Sequence, residues 1–153
     1  MVGLYEDFAA TQLHPDYILV EESSSRLTMI EKLLIGLNLE GHDIDHLKKN
    51  MLDREELSST AIGFGIALPH LKIPTIDRFY LAAGVVRAGM DWGGIEGQSV
   101  KLVFLILGPS TSAENYLKYL SNLTRFVKNG RFFEKLIDSK SASEAYKLFL
   151  IEG

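Results

Sequence analysis

The sequence has no cysteine among its 153 residues. That excludes a disulfide framework, a thiolate metal site and a cysteine nucleophile, and it suits a reducing compartment. Basic runs are also missing. Lys48-Lys49 is only a pair, and 16 Lys and Arg stand against 20 Asp and Glu for a formal net charge of −4. Binding to phosphate backbones needs clustered cations, so no nucleic-acid partner is expected. The apolar run Val103-Phe104-Leu105-Ile106-Leu107 falls far short of the about 20 residues that span a bilayer. The start, Met1-Val2-Gly3-Leu4-Tyr5-Glu6, lacks the basic segment and apolar stretch of a signal peptide. A cytoplasmic location without membrane insertion is expected. Repeats, low-complexity stretches and Pro/Gly/Ser-rich linkers are absent, which points to a single domain over residues 1–153.

What is present reads as an ordinary globular chain, 46% hydrophobic and 24% charged. Residues 17–20 read as a short strand. Ser23-Ser24-Ser25 supplies helix-capping hydroxyls. Leu27, Ile30, Leu33, Leu34 and Leu37 follow at helical spacing, with Gly41 as the stop. Asp43 caps a second helix with Ile44, Leu47, Met51 and Leu52 on its apolar face. Residues 61–68 form an apolar, glycine-punctuated segment that Pro69-His70 closes. Strands are expected at 79–87 and 100–107, the second apolar on both faces and hence central, with a loop over 91–97. Leu117, Leu120, Leu123, Thr124 and Val127 predict a third helical stripe broken at Gly130. Phe132, Phe133, Leu136 and Ile137 predict a short helix. Ser141 caps a last one, with Ala145, Leu148, Phe149 and Leu150 turned inward. The order implies an α/β fold, a central mixed sheet of about five strands flanked by helices on both faces.

Four histidines are candidates for chemistry. His14 precedes Pro15. His42 and His46 are four apart and could bind a metal with a third ligand, Asp43 and Asp45 being near; the plainer reading is a polar helix start. His70 follows a proline, which fixes its own φ and cannot donate to a sheet. The strand is therefore expected to end at Pro69, with His70 projecting into a crevice beyond it. The competing reading is a packed histidine satisfied by a backbone carbonyl. Arg54 lies upstream, with hydroxyls at Ser58, Ser59 and Thr60 between. A neutral imidazole, of ordinary pKa about 6.5, is a competent nucleophile. A phosphoryl dianion on it needs a guanidinium, hydroxyls or backbone N–H groups around it. The alternatives are a surface pair of Arg54 with Glu55 or Glu56, and a turn or cap at 58–60.

Residues 54–70, REELSSTAIGFGIALPH, resemble the active-site signature of the type-2 enzyme IIA domain, roughly R-E-x-x-x-S-T-x-I-G-x-G-I-A-I-P-H. This is the fructose, mannitol and nitrogen-regulatory class of the phosphoenolpyruvate-dependent phosphotransferase system. Gly89-Met90-Asp91-Trp92 through Val100-Lys101-Leu102-Val103 resembles a second family stretch, and the likeness runs from Tyr17 to the end. The resemblance implies a phosphoryl carrier. His70 would accept the group from an HPr-like protein, and Arg54 would stabilise the phosphate. Ser59, Thr60, Gly63 and Gly65 would bind or support it. The group would pass to an enzyme IIB, or serve as a nitrogen-type regulatory signal. No metal or organic cofactor is implied.

Two positions depart from the pattern. Tyr116 stands where the family's H-L-x-x-L-x-x-L motif has a second histidine; here the motif reads YLKYLSNL. A tyrosine hydroxyl can donate a hydrogen bond but is no titratable partner near neutral pH. Asn115 is a polar neighbour. Phe64 stands where the family often has asparagine between two glycines. These departures support an alternative: a non-catalytic regulatory interaction module that keeps the fold, has weakened phosphotransfer and binds its target through an apolar rim at Phe64, Leu68 and Leu71.

Overall fold

A computed structural model describes residues 13–93, 99–110 and 113–152, the side chains at 113, 115, 116, 126, 127, 151 and 152 excepted. A 3-10 turn (Pro15–Tyr17) leads into β1 (Ile18–Glu21), followed by helices α1 (Arg26–Leu37) and α2 (Ile44–Leu57). Three short strands come next: β2 (Ala61–Gly63), β3 (Ile66–Ala67) and β4 (His70–Ile73). The long strands β5 (Tyr80–Asp91) and β6 (Ser99–Pro109) precede α3 (Ala113–Val127), α4 (Gly130–Ile137) and α5 (Ala142–Glu152).

The helix starts follow the sequence chemistry. The side chain of Ser25 accepts from the Thr28 N–H at 3.2 Å and that of Asp43 from the Asp45 N–H at 3.0 Å, each satisfying an orphan donor of the first turn. The side chain of Ser141 accepts from the Glu144 N–H in the same way. The end of α1 differs from expectation. It stops at Leu37 rather than Gly41, because Asn38 takes the left-handed conformation (φ 48°, ψ 52°) and returns its N–H to Leu34 and Ile35. Asparagine tolerates that region better than other non-glycine residues.

The sheet has six strands and is mixed, with β6 at its centre, as its apolar faces require. The antiparallel partner β5 lies on one side of β6, and β1 runs parallel to β5 beyond it. On the other side β3 and β4 both run parallel to β6, pairing Ile66 with Leu102 and His70 with Ile106. Pro69 does not end this edge. It has no N–H to give, but its carbonyl accepts from the Ile106 N–H at 3.0 Å, so the edge resumes at His70. The expected strand end is thus an interruption, and His70 opens a new strand. Residues 61–67 form a hairpin, β2 against β3.

Alternate residues of β5 and β6 serve two cores, as the period of two demands. Ala82, Val86, Val103, Leu105 and Leu107 pack with Met29, Ile30, Leu33, Leu34, Leu47 and Met51 of α1 and α2. Leu81, Ala83, Val85, Leu102, Phe104 and Ile106 pack with Tyr119, Leu123, Phe132, Leu136, Ala145 and Phe149 of α3 to α5. Helices therefore cover both faces. The α3 stripe is rotated from expectation. Leu117 is exposed, while Tyr119 is buried and stacks on Phe79 at 4.1 Å. Leu150 is likewise exposed rather than inward. The expected loop from 91 begins one residue later, since Asp91 still pairs with Ser99, and residues 94–97 lie outside the described residues. No helix among the described residues is long and apolar enough to cross a membrane.

The β5 strand packs tightly on α1 at Gly84, where an added Cβ would lie 2.5 Å from the Met29 sulfur. Met29 is fully buried and cannot swing into solvent. Gly84→Ala is expected to cost about 1–3 kcal/mol of stability, read as a lowered midpoint in urea denaturation.

Candidate functional site

The end of α2, the turn after it, the β2 hairpin, the start of β4 and α3 surround one cavity of about 470 Å³. Its walls include Met51, Arg54, Glu55 and Leu57 to Thr60, then Ile62, Leu68 and His70, and Leu120 and Thr124 of α3. That volume lies in the range of small-ligand sites, about 300–1,000 Å³.

His70 is half-buried at the head of β4, on the sheet face covered by α3, since its register partner Ile106 belongs to that core. Its Nδ1 lies 2.8 Å from the Leu68 carbonyl oxygen. A carbonyl only accepts, so Nδ1–H is the donor, and in the neutral ring the lone pair belongs to Nε2. The two readings of this histidine meet here: it is satisfied by a backbone carbonyl and it lines the cavity. The carbonyl bond sets the tautomer.

Arg54 sits in the last turn of α2, where the helix end carries partial negative charge. Neither suggested carboxylate pairs with it. Glu56 binds Arg26 at 2.7 Å, and Glu55 is buried and bonded to Thr60 and Trp92. Among the described residues Arg54 makes no ion pair, and its exposed side chain borders the same cavity as His70.

The hydroxyls differ from one another. Ser58 ends α2, its N–H returning to the Arg54 carbonyl. The Ser59 hydroxyl oxygen accepts from the Ala61 N–H at 3.2 Å, an arrangement that leaves its proton to be donated. Thr60 is committed: its N–H donates to Glu55 Oε2 at 3.0 Å, and its hydroxyl donates to Glu55 Oε1. Gly63 and Gly65 do not border the cavity; with Phe64 they form the hairpin turn, all three at positive φ. The Gly65 carbonyl accepts from the Lys101 and Leu102 N–H groups, which ties the turn to β6. Tyr116 and Asn115 fall on α3, but their side chains lie outside the described residues.

The expected apolar rim is corrected. Leu68 and Leu71 are buried, packing on opposite sheet faces. Phe64 is exposed, with the Lys128 ammonium 5.7 Å from its ring centre. The exposed apolar residue in the cavity wall is Leu57. His42 and His46 are committed elsewhere. His42 bonds the Glu40 carbonyl and the Thr75 hydroxyl, and His46 bonds Asn50. Among the described residues no three His, Cys, Asp or Glu side chains cluster to hold a metal.

Residues 11–151 match the family described as the phosphoenolpyruvate-dependent sugar phosphotransferase system, EIIA 2. The chain belongs to that family. The nitrogen regulatory protein of Bradyrhizobium diazoefficiens is 28% identical over 139 residues, which span 90% of this chain and 91% of that one. Nitrogen regulatory protein IIA-Ntr from Neisseria meningitidis shares the fold with a TM-score of 0.78, at 23% identity, covering 89% of this chain and 94% of that chain. The mannitol enzyme IIA of Escherichia coli, in its complex with phosphorylated enzyme IIB, gives a TM-score of 0.68 at 21% identity, covering 90% and 96%. The fold is that of the type-2 enzyme IIA proteins.

Sequence reasoning passed over Glu55 as a surface partner of Arg54. The signal was its spacing: Leu47, Met51 and Glu55 are successive i, i+4 positions on the buried stripe of α2. A carboxylate on such a stripe needs internal donors, and Thr60 and Trp92 supply them.

The tautomer can be checked directly. At a pH of about 8.5, where imidazoles are neutral, nitrogen-15 NMR is expected to show His70 protonated at Nδ1. Protonation at Nε2 would contradict the Leu68 carbonyl bond.

Proposed function

We propose that this enzyme IIA protein is a cytoplasmic phosphoryl carrier with His70 as its nucleophile. What supports the reading is the shared cavity: an imidazole whose carbonyl bond places the ring's acceptor nitrogen at Nε2 lines the same site as Arg54, Ser58 and Ser59. The donor is the phosphohistidine of an HPr-like protein. The acceptor is an enzyme IIB or a regulatory target.

In this reading Nε2 attacks phosphorus opposite the carrier's P–N bond. The new P–Nε2 bond forms as the old bond breaks, and its electron pair leaves with the carrier's imidazole. Positive charge builds on the His70 ring, and the Leu68 carbonyl at Nδ1–H stabilises it. The phosphoryl oxygens need donors throughout the transfer. Arg54 offers a forked guanidinium and Ser59 a hydroxyl proton. Thr60 supports the wall rather than the phosphate, its proton being held by Glu55. Gly63 and Gly65 act through the hairpin turn.

A second reading is favoured by Tyr116: a regulatory interaction module of the same fold, in which transfer is weakened because the second histidine is missing. The near full-length match to a nitrogen regulatory protein fits either.

One experiment separates them. The protein is incubated with phosphoenolpyruvate, enzyme I and HPr, and its intact mass is measured. A gain of roughly 80 Da that vanishes in His70→Ala is expected for covalent transfer. Arg54→Ala is expected to slow its appearance about 10²-fold, the usual cost of losing one preorganised donor. No mass change with a competent donor would leave the interaction module as the function.

A further inference from the structure

Glu55 is the one buried acidic side chain among the described residues, 4% exposed. No cation pairs with it there. Its partners are the Thr60 N–H, the Thr60 hydroxyl and, at 3.1 Å, the Trp92 indole N–H. A buried carboxylate without a countercharge is costly to maintain. Its placement says what it is for. It closes the wall segment 55–60, which carries the Ser58 and Ser59 hydroxyls, and it immediately follows Arg54 on the helix. Trp92 ties the same carboxylate to the end of β5, and Trp92 is held a second time through its carbonyl, which accepts from Arg26 at 2.8 Å.

We infer that Glu55 is a positioning residue for phosphoryl transfer: it locks the last turn of α2 and residues 58–60 so that Arg54 and Ser59 stand in place beside His70. It acts through geometry and not through its charge. The inference rests on the carrier reading of His70.

The atoms allow a clean separation of the two effects. Oε2 takes both N–H groups, of Thr60 and Trp92, while Oε1 takes the Thr60 hydroxyl. A glutamine can reproduce this pattern without charge. Its carbonyl accepts both N–H groups, and its amide N–H donates to the Thr60 hydroxyl oxygen, since a hydroxyl both gives and accepts. Alanine takes the acceptor from the buried Trp92 N–H and the part-buried Thr60 N–H and frees the wall.

The test compares initial rates of phosphorylation of the full chain by phosphoenolpyruvate, enzyme I and rising concentrations of HPr. Wild type, Glu55→Gln, Glu55→Ala and Thr60→Val are measured. Far-UV circular dichroism and the urea midpoint check that each is folded, since the indole of Trp92 bonds Glu55 directly and would report the lost contact rather than the fold. Glu55→Ala is expected to lose roughly 10²-fold in maximal rate, the scale of a small misplacement of reacting groups, with the KM for HPr unchanged. Glu55→Gln is expected to stay near wild type. Thr60→Val keeps the Thr60 N–H bond and is expected to lose less, in the same direction; it carries the test if Glu55→Ala does not fold. A wild-type rate in Glu55→Ala, or in Thr60→Val when it stands in, would overturn the inference. So would a folded Glu55→Gln as slow as Glu55→Ala, which would make charge the cause. A change in KM alone would assign Glu55 to carrier binding and overturn it too. A wild-type chain that takes up no phosphoryl group would instead sink the carrier reading itself, and the inference with it.

Discussion

The carboxylate of Glu55 is where three parts of the chain are tied together. It accepts from the turn after α2 through Thr60 and from the end of β5 through Trp92, while its own backbone belongs to α2. Removing a carboxylate from water costs several kcal/mol even after relaxation. Hydrogen bonds to a charged group return about 1.5–3 kcal/mol each, so three of them offset a penalty of that size. The net gain in stability is small; the gain in specificity is large. The observed register of the α2 end against the β5 end satisfies all three donors. Arg26 reinforces that register, donating to the Trp92 carbonyl and to Glu56. Arg54 and the two serine hydroxyls inherit their positions from this network.

The other wall of the site depends on how one edge of β6 is filled. Two short strands share it, β3 and β4, separated by Leu68 and Pro69. The interruption has two consequences. The Pro69 carbonyl still meets the Ile106 N–H, so the edge loses little pairing. The Leu68 carbonyl is released from the ladder and turns to His70 Nδ1. A continuous strand would pair that carbonyl elsewhere and leave the imidazole tautomer unfixed. The proline thus bears on the chemistry of His70 by what it does to the backbone one residue earlier.

Much of this was legible from sequence wherever a local rule decided the outcome. Ser25, Asp43 and Ser141 cap the helices they should cap. The doubly apolar run at 103–107 is the central strand. The segment from Arg54 to His70 pointed to the family that residues 11–151 match. What escaped the reading was set by tertiary context. The buried role of Glu55 is not visible locally, because its donors, Thr60 and Trp92, come together only in the fold. Counting aliphatic residues alone turned the α3 stripe toward Leu117, whereas Tyr119 buries its ring against Phe79. Pro69 marks a strand end by local rules, and only its carbonyl bond to β6 shows that the edge continues. Leu68 and Leu71 looked available for a partner because no local pattern reveals that each sheet face beside His70 is already covered.

The central claim concerns one atom: the Leu68 carbonyl holds Nδ1 of His70 protonated, so in the proposed carrier reading the phosphoryl group would arrive at Nε2. Phosphorus-31 and nitrogen-15 NMR of the phosphorylated protein, labelled at histidine, read this directly. The account predicts a single phosphohistidine, at His70, with phosphorus coupled to Nε2 and the proton retained on Nδ1. Phosphorus on Nδ1, or on any other side chain, would contradict it.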